Sequence, residues 1–229
     1  MYRLLSYPLG PDTPTYGANP PVRVTALADI ARGDVANWLE ITTINHNGTH
    51  LDAPFHFNPR GKRLTDLDVN ELCFSMPRLI DVPKGDGALI TARDLQPYET
   101  VLNEADILLL RTGWANAYRA KDPGRFGQRA PGFDSSVGHY LLNETTVRAV
   151  AMDLPSATSP VVGHANDEGL EFHRIVLGTG REPSERYILL IEDVQLEPDL
   201  SPDDLKRVLV VPLWLQDADA APVTILAEG

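Results

Sequence analysis

Five short apolar runs constrain the fold of this chain more than any other feature. They are Leu79-Ile80-Asp81-Val82, Ile107-Leu108-Leu109-Leu110, Val147 to Met152, Tyr187 to Ile191 and Val208 to Leu215. Each is bounded by turn-forming or charged residues, as strands covered on both faces are. Segments with the character of helix starts lie between them. Thr65 to Leu72 offers Thr65 as an N-cap with Asp66 and Asp68 in the first turn, and Thr91 to Leu95 opens a second helix. Asn143-Glu144-Thr145-Thr146 reads as a cap before Val147. Ser201-Pro202-Asp203-Asp204-Leu205 reads as a one-turn helix with Ser at the cap and Pro first. The mixture predicts an α/β fold with a mixed sheet. Nineteen prolines and seventeen glycines are spread along the 229 residues with no repeat or linker, so one domain, 1–229, is expected. Gly124 to Gly138, rich in Gly, Pro, Arg and Ser and lacking periodicity, is expected to be a long surface loop.

Residues 46–57, HNGTHLDAPFHF, hold three of the six histidines. Gly48 and Pro54 argue against a helix through the run. In an extended chain side chains alternate faces, which puts His46, His50, Asp52 and His56 on one side. Leu39, Ile41, Leu51, Ala53, Phe55 and Phe57 then form a largely apolar opposite side. Gly48 falls on the polar face, where a missing side chain leaves room for an ion. Imidazole and carboxylate are the usual ligands of Zn²⁺ and Mn²⁺. A His, His, Asp set supplies three ligands and leaves positions open, as catalytic sites do, whereas a closed structural zinc site would call for cysteines. On spacing alone, a polar strand face making ordinary hydrogen bonds stays open as an alternative. Along a straight strand His56 would lie about 13 Å beyond Asp52, so Pro54 is expected to bend the chain back.

A formal charge of −12 and a pI near 4.8 exclude the basic footprint of nucleic-acid binding and any affinity for an anionic membrane surface. No apolar run approaches the ~20 residues of a membrane-spanning helix, and MYRLLSYPLG does not read as a signal peptide. The single cysteine, Cys73 in LCFSM, reads as a small buried hydrophobe, and a reducing cytoplasm is the expected setting.

The full pattern His46-x-Gly48-Thr49-His50-x-Asp52-x-Pro54-x-His56-Phe57 resembles the signature of the cyclase family of metal-dependent hydrolases, which includes bacterial kynurenine formamidase and isatin hydrolase. Further matches run along nearly the whole chain. They are Pro8-Leu9 with Asp12-Thr13-Pro14, Arg111-Thr112-Gly113-Trp114, Asp153 with Ser156, His173-Arg174, Ile191-Glu192, Val211-Pro212-Leu213 and Pro222-Val223. The resemblance implies a swivelling β/β/α fold around a barrel-like mixed sheet, in a homo-oligomer (dimer or tetramer). It implies that His46, His50 and Asp52 hold a first divalent ion, Zn²⁺ or Mn²⁺. In members with two ions, Asp52, His173 and Glu192 complete a second site. His56 is implied as the catalytic acid/base. The implied reaction is hydrolysis of an amide bond in a small, aromatic formamide or cyclic amide. A lactone- or ester-directed hydrolase and a non-catalytic metal-binding protein are the alternatives. Tyr16, Trp114, Phe126 and Phe133 are candidate stacking surfaces for such a substrate. Residues 181–187, which compact members of the family lack, carry Glu182 and Glu185 as competitors to Glu192. His139 and His164 match no ligand position.

Overall fold

The apolar runs become the middle of a curled sheet. A computed structural model describes residues 1–163, 167–182 and 185–229. Its strands are β1 (Tyr2–Leu4), β2 (Arg23–Ala28), β3 (Trp38–Thr42), β4 (His50–Asp52), β5 (Cys73–Phe74), β6 (Pro77–Asp81), β7 (Leu89–Ile90), β8 (Ile107–Arg111), β9 (Gly132–Phe133), β10 (Ala149–Met152), β11 (Leu189–Glu192), β12 (Arg207–Pro212) and β13 (Ala220–Glu228). The main sheet runs β5-β12-β13-β4-β11-β10-β8-β6, with β1 added on β13. The β6, β8, β10 and β11 strands are parallel neighbours, whereas β4, β13, β12 and β5 pair antiparallel. The two ends of the order, β5 and β6, are separated in sequence only by Ser75 and Met76. Both of those amides donate to the Asp106 carboxylate just ahead of β8, at 2.7 and 3.0 Å. The sheet is thereby drawn into a nearly closed barrel.

Alternation explains why these strands are apolar throughout. Ile107, Leu109, Ala149, Ala151, Leu189 and Ile191 fill the barrel interior with Leu51, Phe74, Val208 and Ile225. Their neighbours Leu108, Leu110, Val150, Met152 and Leu190 face outwards. There they pack beneath the helices Ser135–Glu144 and Glu171–Val176, through Val137, Leu141, Phe172 and Val176. Burying one such side chain contributes about 1.5–3 kcal/mol, and truncating Leu109 to Ala would cost about 2–5 kcal/mol.

Several expectations need correction. Gly124 to Gly138 is not a surface loop. It contains the helix Pro123–Gln128, capped by Asp122, then β9, then the start of Ser135–Glu144, capped by Asp134. Phe126, Ala130, Phe133 and Val137 are buried. Gly127 is there for a close approach rather than for a turn, since a Cβ would lie 1.9 Å from the Thr15 carbonyl oxygen. Thr65 to Leu72 forms two short 3₁₀ turns, Leu64–Asp66 and Val69–Leu72, because Asp66 and Glu71 side chains accept from the backbone ahead of each turn. Asn143 to Thr146 ends a helix instead of opening one, and the Thr145 hydroxyl donates to the Leu141 carbonyl. Ser201 does cap a single turn, Pro202–Asp204. Cys73 is only partly buried.

The run 46–57 is likewise no single strand. The preceding β3 pairs with β2 in a separate hairpin, so Leu39 and Ile41 are exposed and do not extend an apolar face. His46 sits in the connecting turn, β4 spans three residues, and Pro54–His56 forms a 3₁₀ turn. Among the described residues, no helix is long and apolar enough to cross a membrane.

Candidate metal centre

The β4 strand lies between β11 and β13, and its register decides which groups meet. Asp52 pairs with Leu190 and Ala220, Leu51 with Ile191 and Ala221, and His50 with Glu192 and Pro222. Directly paired residues share a sheet face. Leu51 and Ile191 therefore enter the barrel, and His50, Asp52 and Glu192 stand together on the helix-covered side. Gly48 does not make room for an ion, as the extended reading supposed. It has φ +68, packs against Leu9 and Thr13, and accepts the His50 Nδ1–H on its carbonyl at 2.9 Å.

His50 Nε2 is thus free to face the carboxylates, 3.3 Å from Glu192 Oε2 and 3.5 Å from Asp52 Oδ1. The helix Glu171–Val176 contributes His173, buried among the same groups. The Thr158 hydroxyl donates to the Gly169 carbonyl and so accepts from His173 Nδ1, at 2.9 Å. His173 Nε2 points at Glu192 Oε1, 3.2 Å away, and lies 4.0 Å from Asp52 Oδ2. Glu192 Oε1 also accepts from the Ala157 amide at 2.7 Å and the Ser156 hydroxyl at 3.4 Å. The next residue, Asp193, adopts a left-handed φ of 52° and is gripped at both oxygens by Arg119, each at 2.7 Å.

On the other side, the turn opened by Pro54 brings the His56 ring to 4.3 Å from that of His46. Both imidazoles meet a residue that the sequence reading did not single out. Asp219 Oδ2 is 2.8 Å from His56 Nδ1 and 3.0 Å from His46 Nε2. His46 Nδ1 approaches Asp52 Oδ1 at 3.0 Å without the alignment of a hydrogen bond. The only signal for Asp219 in the sequence is an acid just ahead of the small residues Ala220 and Ala221, whose strand pairs with β4.

The ligand atoms form two triads that share Asp52, namely His46–Asp52–His56 and His50–Asp52–Glu192, each within 4.8 Å. His173 joins the second through Glu192. The competitors lie elsewhere. Glu182 is exposed and paired with Arg60 at 2.6 Å, Glu185 and His139 are exposed, and His164 lies outside the described residues. The other matched motifs brace the site. Asp153 accepts from the Thr112 amide and hydroxyl, both at 2.7 Å, and from the Gly113 amide at 2.8 Å, which ties the ends of β8 and β10 together. Arg111 pairs with Asp81.

Electrostatically the cluster is short of positive charge. Burial pushes His46 towards the neutral form, yet the adjacent carboxylates of Asp219 and Asp52 overcome this and raise it to about 10. Burial also opposes charge on His50, Asp52 and Glu192. Even so, Asp52 and Glu192 hold His50 up, and the imidazoles hold both carboxylates below their usual range. Hydrogen bonds from His46 and His56 keep Asp219 low. Protons on imidazole here do what a divalent cation would do better. Among the described residues, the buried His50 Nε2 and both Asp52 oxygens lack any hydrogen-bond partner. Orphaned buried acceptors of this kind are costly, and a hard or borderline cation satisfies all three. The donor set fits such an ion.

The cluster opens on a cavity of about 250 Å³ whose other walls include Tyr16, Ile44, Phe57, Pro155 and Leu170. Trp114, Phe126 and Phe133 are not part of it; they are buried core. Phe57 stacks on His173 with ring centres 5.1 Å apart.

A barrel-like α/β domain that gathers four imidazoles and three carboxylates beside one small cavity has the build of a metal-dependent hydrolase. The Cyclase family model matches residues 4–158, and the chain belongs to that family. Kynurenine formamidase from Bacillus thuringiensis (strain Al Hakam) is 30% identical over 222 residues, covering 96% of this chain and 93% of that protein. The enzyme of the same name from Bacillus anthracis matches to the same extent. Among solved structures, isatin hydrolase A from Labrenzia aggregata superposes with a TM-score of 0.77 at 19% identity, over 99% of this chain and 93% of that one. An isatin hydrolase bound to the product analogue thioisatinate gives 0.81 at 20% identity, over 99% and 91%. These structures share the fold.

Proposed function

We propose that this chain hydrolyses the amide bond of a small, aromatic formamide or cyclic amide, in the manner of kynurenine formamidase. The observation that carries this reading is the set of buried acceptors left without a hydrogen-bond partner among the described residues, both oxygens of the cavity-lining Asp52 and the adjacent His50 Nε2. His46, His50 and Asp52 hold the first divalent ion, and Asp52, His173 and Glu192 a second where two bind. A divalent ion held there would supply Lewis-acid chemistry, polarising the substrate carbonyl and acidifying water near neutral pH. His56, on the cavity wall, takes a proton from the attacking water and returns it to the leaving nitrogen. Tyr16 and Phe57 flank the planar part of the substrate, and a volume of about 250 Å³ suits one or two fused rings. Zn²⁺ and Mn²⁺ both suit this N/O donor set.

The protein works as a homo-oligomer. In support, the β2–β3 hairpin leaves Leu27, Trp38, Leu39 and Ile41 exposed, and Leu213, Trp214 and Leu215 are exposed elsewhere on the chain. Apolar side chains in such number are usually covered by a partner. The free Cys73 accords with a reducing, cytoplasmic setting.

The test is a hydrolysis screen over N-formyl arylamines, isatins, cyclic imides and lactones, with metal analysis and added Zn²⁺ or Mn²⁺. Turnover of an N-formyl arylamine or isatin, abolished by chelation and restored by metal, is expected. Turnover confined to lactones would move the scissile bond, and protein that takes up no metal on reconstitution would overturn the reading.

A further inference from the structure

We infer that Asp219 is a positioning residue that fixes the tautomers of both His56 and His46, an inference that rests on the hydrolase reading above. Its carboxylate accepts from three side chains. His56 Nδ1 and His46 Nε2 share Oδ2 at 2.8 and 3.0 Å, and the Asn45 amide donates to Oδ1 at 2.6 Å. A carboxylate only accepts, so each imidazole presents an N–H there. For His56 this leaves Nε2 as the lone-pair nitrogen, the one able to take a proton from water. For His46 it leaves the Nδ1 lone pair facing Asp52 Oδ1 at 3.0 Å, a spacing of two acceptors that calls for a proton or a cation between them.

The backbone around Asp219 is held by the same segments that carry the site. The Ala53 amide donates to the Asp219 carbonyl at 2.8 Å, Leu64 donates to Ala218 at 2.9 Å, and Ala220 pairs with Asp52. The carboxylate is thus anchored to β4 and the Pro54–His56 turn while spending its own acceptors on imidazoles and an amide. Among the described residues no backbone N–H donates to it, so it serves neither as a helix cap nor as a turn brace. When His56 Nε2 receives the proton of water, the charge develops beside Oδ2. The proton then passes from Nε2 to the leaving nitrogen. This is the orienting role that a carboxylate plays behind a general-base histidine.

The experiment is Asp219→Asn, alone and in a His56→Gln background, with metal affinity measured by competition against a chromophoric chelator. Asn puts an N–H₂ where an acceptor stood and favours the wrong tautomer. At saturating metal, kcat is expected to fall ~10²–10⁴-fold with KM within about threefold. The same substitution should add less than about threefold on top of His56→Gln, because the two act as a unit. Metal affinity should weaken ~10–100-fold through His46. A kcat within about threefold of wild type, or losses that multiply in the double variant, would overturn the inference. If wild type turns over none of the screened substrates, the hydrolase reading fails by itself. The metal affinity of Asp219→Asn then still decides whether Asp219 orients His46.

Discussion

The two sides of Asp52 use the same residue types under different conditions. His50, His173 and Glu192 have side chains only 1–4% exposed. His46, His56 and Asp219 are 21–30% exposed and line or border the cavity. On the buried side, His50 Nε2 and the oxygens of Asp52 are without hydrogen-bond partners among the described residues. On the open side both histidines have a carboxylate that takes their N–H groups. The difference separates two tasks. Groups that water cannot reach and hydrogen bonds do not satisfy are suited to a permanent cation, towards which His46 turns its second nitrogen from the open side, and the partly exposed His56 on its carboxylate is suited to exchanging protons with a substrate.

The largest expected effect comes from the buried side. His50→Ala removes a ligand that water cannot easily replace. Spreading the binding energy of a four-ligand zinc site over its ligands gives about 3 kcal/mol each, or roughly two orders of magnitude in metal affinity. Isothermal titration of chelator-stripped protein would measure it, and a change under about threefold would place the ion elsewhere. A smaller loss is expected from Thr158→Val, which keeps the shape but deletes the acceptor for His173 Nδ1–H. Metal affinity should weaken ~10–100-fold with the melting temperature of the metal-free protein changed by only a few degrees.

Asp153 sharpens the comparison from outside the cluster. It is as buried as Asp52, yet three N–H and O–H donors from Thr112 and Gly113 satisfy it, so Asp153→Asn should leave metal affinity unchanged. Its signature is a pH dependence. Burial pushes Asp153 up to about 6 despite those donors, above the ~3.9 of an unfolded chain. The folded state therefore holds the proton more tightly. This contribution is fully present below about pH 4, is lost as pH rises to about 6, and is flat beyond. Two pH units correspond to roughly 2–3 kcal/mol. Denaturant unfolding of metal-free wild type and Asp153→Asn between pH 4 and 7 should show that slope in the difference between them, and parallel curves would refute it.

The same division marks what could be read from the sequence. The strands with both faces buried announced themselves as apolar runs, and the pairing of His50 with Asp52 followed from a period of two. His173 and Glu192 came only from resemblance, because no local pattern links a helix near 173 and a strand end at 192 to β4. Asp219 was missed for a related reason. It lies 163 positions from His56 and joins the site through the register of β13, which no short-range signal encodes. The extended reading of 46–57 failed at its ends, where Gly48 at positive φ and the Pro54 turn replace the strand. Gly124 to Gly138 misled because its glycines allow close packing as well as turns.

The division of labour across Asp52 is tested most directly by the metal content of His56→Ala, measured beside its turnover. His56 is the deciding group, since its ring nitrogen also lies within 4.8 Å of donor atoms on His46 and Asp52. If His56 handles protons and is no ligand, the variant should bind metal at the wild-type stoichiometry and affinity while kcat falls ~10²–10⁴-fold. Loss of metal together with activity would make His56 a ligand and contradict the separation of the two tasks.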